Sequence, residues 1–289
     1  MKKFVNFRIS DFKENTKMLT SFGSRMMGAN SINLIQYQAD SFLIGYFLTA
    51  SDLGYYTAAV SLSRFFWRVP QSIQMITYPA TSEYWSKDKR ESLNKMIDKS
   101  MKYSACILLP VGLAVGFFAK DIVTFLFGDE FIHAALPLQI LLIGTVINGI
   151  ICRPIGGSLA GVGRPELELI TVGISSAVNI MLNVLLIPIL GIIGAAISTS
   201  ISLSTVSALY LLFVIKDLHV EFDFKWFFKA FGIITILIIV FINFSKINKY
   251  IGIILLCVCI ILFLKFLIVK EDRQLIKALF HEFTSRFNR

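Results

Sequence analysis

Residues 167–188 read LELITVGISSAVNIMLNVLLIP, and residues 191–214 read GIIGAAISTSISLSTVSALYLLFV. Each run meets the requirement of roughly 20 mostly apolar residues for an α-helix that crosses about 30 Å of hydrocarbon. Only the Pro188–Gly191 turn separates them, so they read as two membrane spans joined by a tight reversal. Working outward, the same criterion marks spans near 23–49, 54–78, 101–119, 136–160, 227–244 and 250–269. The expected fold class is all-α, a polytopic transmembrane helix bundle of about eight helices.

Composition supports this. The chain has 289 residues, 55% of them hydrophobic and 16% charged, with a mean hydropathy of +0.70. A soluble domain carries about 25% charged residues, so a soluble fold this apolar would lack a polar surface. The net charge of +9 falls between the spans. Orientation in the membrane accounts for it better than nucleic acid does.

The basic residues follow a pattern. One side of the alternating spans holds Lys2, Lys3, Arg8, Lys13 and Lys17, then the 82–102 segment, Lys216, Lys225 and Lys229, and the tail with Lys270, Arg273, Lys277, Arg286 and Arg289. The opposite side has about three Lys or Arg against roughly twenty, which makes the first side cytoplasmic. Both ends of the chain are then expected in the cytoplasm. The first twenty residues lack an apolar core, so no cleavable signal is expected and the first span acts as its own anchor.

The expected organisation is a cytoplasmic segment over 1–20, a six-helix lobe over 21–215, two peripheral helices over 216–269 and a basic tail over 270–289. Residues 87–102 carry Leu93, Met96, Ile97 and Tyr103 among charges, as a helix extending into the cytoplasm would. The tail carries Leu275, Ile276, Leu279, Phe280 and Phe283 at near-helical spacing. That suits either a basic interfacial helix or an ordinary charged tail.

Charged and polar residues inside spans mark cavities, partners or pathways, because a charge in hydrocarbon is expensive. In the first span, Asn30, Asn33, Tyr37 and Asp40 fall on one helical face with Gln36 beside them. The stripe lines a cavity or makes hydrogen bonds between helices. Asp40 is the candidate for ion or proton coupling. In the second span, Arg64 and Arg68 are four residues apart, with Trp67 and Pro70 close by. Two guanidiniums on one face suit a phosphate or pyrophosphate; pairing with Asp40 or snorkelling to the interface are the alternatives. Arg153 precedes Pro154, Gly156 and Gly157, a sequence that favours a break, and it either caps the broken helix or contacts substrate. Arg25 and Lys265 complete the intramembrane cations. Asn179, Asn183, Ser198, Ser202 and Thr205, with Gly194, Ala195 and Ala196, read mainly as packing.

Catalytic signatures are missing. Cys106, Cys152, Cys257 and Cys259 lie in apolar spans without zinc or redox spacing, and His133, His219 and His281 are scattered. No nucleophile triad, acidic pair or phosphate-binding GxxxxGK[ST] loop stands out. No enzyme activity, metal or cofactor is expected.

A resemblance covers roughly residues 20–215. Asp40-Ser-Phe-Leu-Ile-Gly45, Leu53-Gly-Tyr-Tyr-Thr-Ala-Ala59, Tyr78-Pro79, Phe127-Gly128 with the 135–143 run, Asn179-Ile-Met-Leu-Asn183, Ile187-Pro188, Gly191, Gly194-Ala-Ala196 and Thr199 follow one another. Their order resembles the second half of the polysaccharide flippases of the multidrug/oligosaccharidyl-lipid/polysaccharide exporter superfamily. The resemblance implies the second lobe of a two-lobe flippase, which moves lipid-linked oligosaccharide across the cytoplasmic membrane by alternating access. It implies that cavity cations hold the lipid pyrophosphate, with Arg25, Arg64, Arg68 and Arg153 available. A full member has some six further helices, so a homodimer or a second chain is expected to supply the missing wall. An ion-coupled drug exporter and a non-catalytic assembly partner in glycan synthesis are the competing expectations.

Overall fold

The segment between Thr49 and Phe65 sets the first turn of the bundle. The Thr49 hydroxyl accepts a hydrogen bond from the Asp52 backbone N–H (3.2 Å), and the Asp52 carboxylate accepts one from the Thr49 N–H (3.2 Å). This reciprocal cap satisfies two backbone donors that a helix start leaves open. It starts α2 (Ala50–Phe65) directly after α1 (Phe12–Phe47), a 36-residue helix roughly 54 Å long. The computed structural model describes residues 12–223, 225–230 and 232.

The remaining described helices are α3 (Arg68–Ser86), α4 (Arg90–Phe117), α5 (Ala119–Phe127), α6 (Ala135–Ile151), the single turn α7 (Ser158–Gly161), α8 (Pro165–Leu190) and α9 (Ile192–Leu218). A 3-10 segment, Asp129–Ala134, joins α5 to α6. The described residues contain no strand. α9 is central: it packs on α8 and α6 and touches α1 and α2, while α1 lies along α8 and α4 along α6. The 167–214 hairpin from which the fold was read is therefore its core.

Four described stretches are long and apolar enough to cross a membrane: Arg90–Phe117, Asp129–Ile151, Pro165–Leu190 and Ile192–Leu218. The first expected span differs. α1 begins well before residue 23, and its polar stripe keeps it below the same apolarity. The expected span over 54–78 is two helices. Pro70 has no N–H for the Phe66 carbonyl, and its ring crowds that carbonyl. The chain answers with short bonds from the Phe66 N–H to the Ser63 carbonyl and from the Trp67 N–H to the Arg64 carbonyl, and α3 starts at Arg68. Of the expected extension over 87–102, residues 90–102 are the first part of α4, burying Leu93, Ile97 and Met101, and 87–89 are the turn from α3. The expected span over 227–244 apart from residues 227–230 and 232, the span over 250–269, Lys265, the tail over 270–289, Cys257, Cys259, His281 and residues 1–11 lie outside the described residues.

The fourth span breaks where the glycines sit. α6 ends at Ile151, and residues 152–157 turn before α7. Gly157 adopts φ +80°, and a Cβ there would meet the Tyr78 ring at 2.7 Å. The Thr77 hydroxyl donates to the Pro154 carbonyl (2.6 Å) and the Ser82 hydroxyl to the Gly161 carbonyl (2.9 Å), so α3 holds the break in place. Non-helical backbone at membrane depth needs such partners. At the other end Gly191, with φ +62° and ψ −141°, makes the α8–α9 reversal in a region that β-carbons disfavour.

Glycine also sets the close approach of α6 to α9. A Cβ on Gly144 of α6 would lie 2.5 Å from the Ser200 Cα of α9, while one on Gly173 of α8 would meet nothing within 4 Å. Gly144→Ala is expected to lower stability by about 1–3 kcal/mol, the usual range for overpacking. Gly173→Ala is expected to be neutral or slightly stabilising, since Ala is the better helix former. Thermal melts of the two purified variants in one detergent check the contrast.

Candidate functional site

Two polar layers cross the bundle between α1, α8 and α9. In the first, Gln36 of α1 donates to Ser202 of α9 (2.8 Å) and accepts from Ser176 of α8 (2.9 Å), while Ser175 and Ser202 bond to each other (2.8 Å). One turn further along α1, Asp40 forms the second. It is 6% exposed. Its Oδ2 accepts from the Tyr56 hydroxyl of α2 (2.9 Å) and the Thr199 hydroxyl of α9 (2.7 Å), and its Oδ1 accepts from the Asn183 amide of α8 (2.7 Å). Asn183 also donates to Asn179 Oδ1 (3.2 Å), and Asn179 donates to Thr199 (3.4 Å). All three donors to the carboxylate are neutral. The Asn183 Oδ1 is buried without a hydrogen-bond partner, so this layer has an acceptor to spare.

Beside these layers lies a polar cavity of 410 Å³. Asn30, Asn33 and Gln36 of α1 line it, as do Asn148 of α6, Arg153 from the break after α6 and Glu168 of α8. The Arg153 guanidinium rests 4.1 Å from the centroid of the Trp67 ring and donates through Nε to Asn148 Oδ1 (3.3 Å). Asn148 in turn donates to Ser207 of α9 (3.2 Å). The broken helix therefore delivers one cation to the wall and orients it by stacking and a hydrogen bond.

The other sequence candidates are placed differently. Arg25 pairs with Glu166 (3.0 Å), which also takes Arg164 (2.9 Å), and Arg164 reaches Asp217 (3.2 Å). This chain of charges ties α1, α8 and α9 together at one mouth of the bundle. Arg64 and Arg68 stand on either side of the turn at 66–67, Arg64 in the last turn of α2 and Arg68 in the first turn of α3, and Arg64 is exposed. Arg64 borders a small gap of 20 Å³ together with Asp40, Gln36 and Trp67. Arg68 is exposed. Asn33 is on the cavity wall; Tyr37 lies on α1, its side chain outside the described part of the structure. Asn179 and Asn183, expected as packing residues, belong to the Asp40 layer.

Glu168 is the residue that sequence reasoning passed over. It lies two positions after Glu166 in the first turn of α8, and its Oε2 is buried without a hydrogen-bond partner. A carboxylate at the margin of an apolar run reads as an interfacial charge; only the packing of α8 against α1 and α9 turns it toward the cavity. Among the described residues no group of three His, Cys, Asp or Glu could hold a metal ion.

Known proteins extend these findings. The profile of a family described as "Polysaccharide biosynthesis protein" matches residues 4–136. An uncharacterized membrane protein of Methanocaldococcus jannaschii is 27% identical over 245 residues, 83% of this chain and 48% of that protein. The probable low-salt glycan biosynthesis flippase Agl15 of Haloferax volcanii is 29% identical over 186 residues, 64% of this chain and 39% of that protein. The chain thus spans about half, or less, of the length of the curated relatives it matches. In structure, the lipid II flippase MurJ in an inward closed conformation superposes with a TM-score of 0.66 at 21% identity, over 95% of this chain and 57% of MurJ. A MATE transporter in the straight conformation gives 0.62 at 19% identity, over 72% of this chain and 47% of that one. The chain is a multi-pass helical membrane protein that shares the fold of these transporters and resembles the polysaccharide flippases of the multidrug/oligosaccharidyl-lipid/polysaccharide exporter superfamily.

Proposed function

We propose that this chain contributes the second lobe of a flippase that carries a lipid-linked oligosaccharide across the cytoplasmic membrane for cell-surface polysaccharide biosynthesis. The observation that carries the reading is Arg153, set on the wall of a 410 Å³ polar cavity and stacked on Trp67. A planar guanidinium presents paired donors that match phosphate oxygens, and the volume lies within the range of small-molecule sites. Residues 21–215 form the working lobe, with both termini on the cytoplasmic side. A second wall comes from further helices. The protein moves its substrate without covalent chemistry.

Asp40 couples transport to a proton or a monovalent cation. Its carboxylate is held by neutral donors only, next to the spare oxygen of Asn183. Binding a proton or cation there changes how α1, α2, α8 and α9 hold together, which is a means to bias an alternating-access equilibrium.

Binding tests the substrate reading. The full chain in lipid nanodiscs is expected to bind polyprenyl pyrophosphate bearing a hexose, and Arg153→Ala to weaken that binding by about tenfold or more, roughly 1.4 kcal/mol. Arg153→Lys keeps the charge, loses the planar fork and should fall between. Failure of the unmodified protein to bind either the loaded or the bare lipid sinks the reading.

The coupling role has its own test. Asp40→Asn is expected to remove the dependence of flipping in sealed vesicles on a proton or sodium gradient. Gradient dependence that survives the substitution makes Asp40 structural only. The mass of the native complex after gentle detergent extraction is expected to exceed 32.5 kDa by at least one more chain; a lone monomer argues against the partner-dependent form.

A further inference from the structure

Glu168 is a carboxylate with an unfilled hydrogen-bonding role. Its neighbour Glu166 is fully engaged by Arg25 and Arg164. Two positions along a helix is roughly 200° of rotation, so Glu168 faces elsewhere, into the cavity it shares with Arg153. Its Oε2 is buried and no donor reaches it. Two polar groups on the same wall are already used: the Tyr210 hydroxyl by the Ile155 carbonyl and the Leu159 N–H, each at 3.3 Å, and Asn148 by Arg153 and Ser207. A buried acceptor left without a donor is costly, and more so when charged. A ligand that brings a donor removes that penalty.

The chemistry narrows the ligand group. A phosphate carries negative charge and accepts hydrogen bonds, so a carboxylate repels it. A saccharide carries hydroxyls, and often amide N–H groups, that donate. The cavity thus holds two different recognition elements, a guanidinium for the phosphate and a carboxylate for the sugar. We infer that Glu168 is a specificity-determining residue that accepts hydrogen bonds from the first sugar of the lipid-linked saccharide, so that the loaded carrier is bound in preference to the bare one. The inference rests on the flippase reading and sharpens it. Cavities whose buried polar groups need a substrate hydroxyl discriminate strongly against the analogue that lacks it. For a flippase this contact separates cargo from the carrier that must return empty.

The test measures a ratio. Two probes, polyprenyl phosphate and polyprenyl-phosphate glucose, are titrated against the full chain in nanodiscs. The unmodified protein is expected to prefer the glucose-bearing lipid. Glu168→Ala and Glu168→Gln are each expected to cut that preference about tenfold, while Arg153→Ala weakens both lipids and leaves the ratio near its original value. Gln keeps the shape of Glu, so a ratio lost in Gln as well as in Ala cannot come from a collapsed cavity. An unchanged ratio in both Glu168 variants, or an equal loss on both lipids, overturns the assignment and leaves the flippase reading standing. Binding of neither lipid by the unmodified protein removes the flippase reading, and this inference with it.

Discussion

The buried carboxylate of Asp40 is the constraint around which the described bundle is organised. A charge at membrane depth is expensive unless the protein replaces its hydration. Here the replacement comes from Tyr56, Thr199 and Asn183, that is, from α2, α9 and α8. One acidic side chain on α1 therefore fixes the positions of three other helices. Lipid offers little hydrophobic force to bring helices together, and polar bonds and close packing do that work instead. The Gln36 layer with Ser175, Ser176 and Ser202 repeats the device one turn away. Gly144 against Ser200 lets α6 come close enough to complete the same seam.

Those polar layers explain why the cavity lies where it does. α1 is tied to α8 and α9 at Gln36 and Asp40, and again at Arg25 through Glu166. Between the outer tie and the inner ones, Asn30 and Asn33 have no such partners and border the open space. The broken end of α6 closes the space from the other side. α3 holds that break through Thr77 and Ser82, so the position of Arg153 depends on hydrogen bonds to backbone that is not helical.

Much of the fold is legible in the sequence because membrane spans are long, apolar and uniform. The 167–188 and 191–214 runs lie within α8 and α9, and the Gly156-Gly157 pair marks a real break. The kink at 66–67 was not legible from hydropathy. It follows from Pro70 and the carbonyl it leaves without a donor, a local steric effect that a twenty-residue average hides. That turn also places Arg64 and Arg68 on two successive helices, where the spacing reading had one. The candidate site was half legible. Charges in apolar runs drew attention to Asp40 and Arg153, but nothing in their spacing indicates that Asn179, Asn183 and Thr199 converge on Asp40. That convergence is a property of three helices packing together.

Glu168 shows the limit most clearly, and the reason is physical. Hydropathy treats a carboxylate near the start of an apolar run as an interfacial charge, and for Glu166 that is right, since Arg25 and Arg164 hold it at the mouth. Glu168 differs from Glu166 in direction alone, not in composition or depth. Pro165 at the first turn of α8 starts the helix, and from there the helical rotation decides which acid meets arginine and which faces the cavity. A shift of α8 by one residue would turn both acids by about 100° and take Glu168 off the cavity wall. The short turn at 162–164, with Gly163 at φ +83°, therefore does more than connect two helices: by fixing where α8 begins, it sets the electrostatic character of the cavity wall.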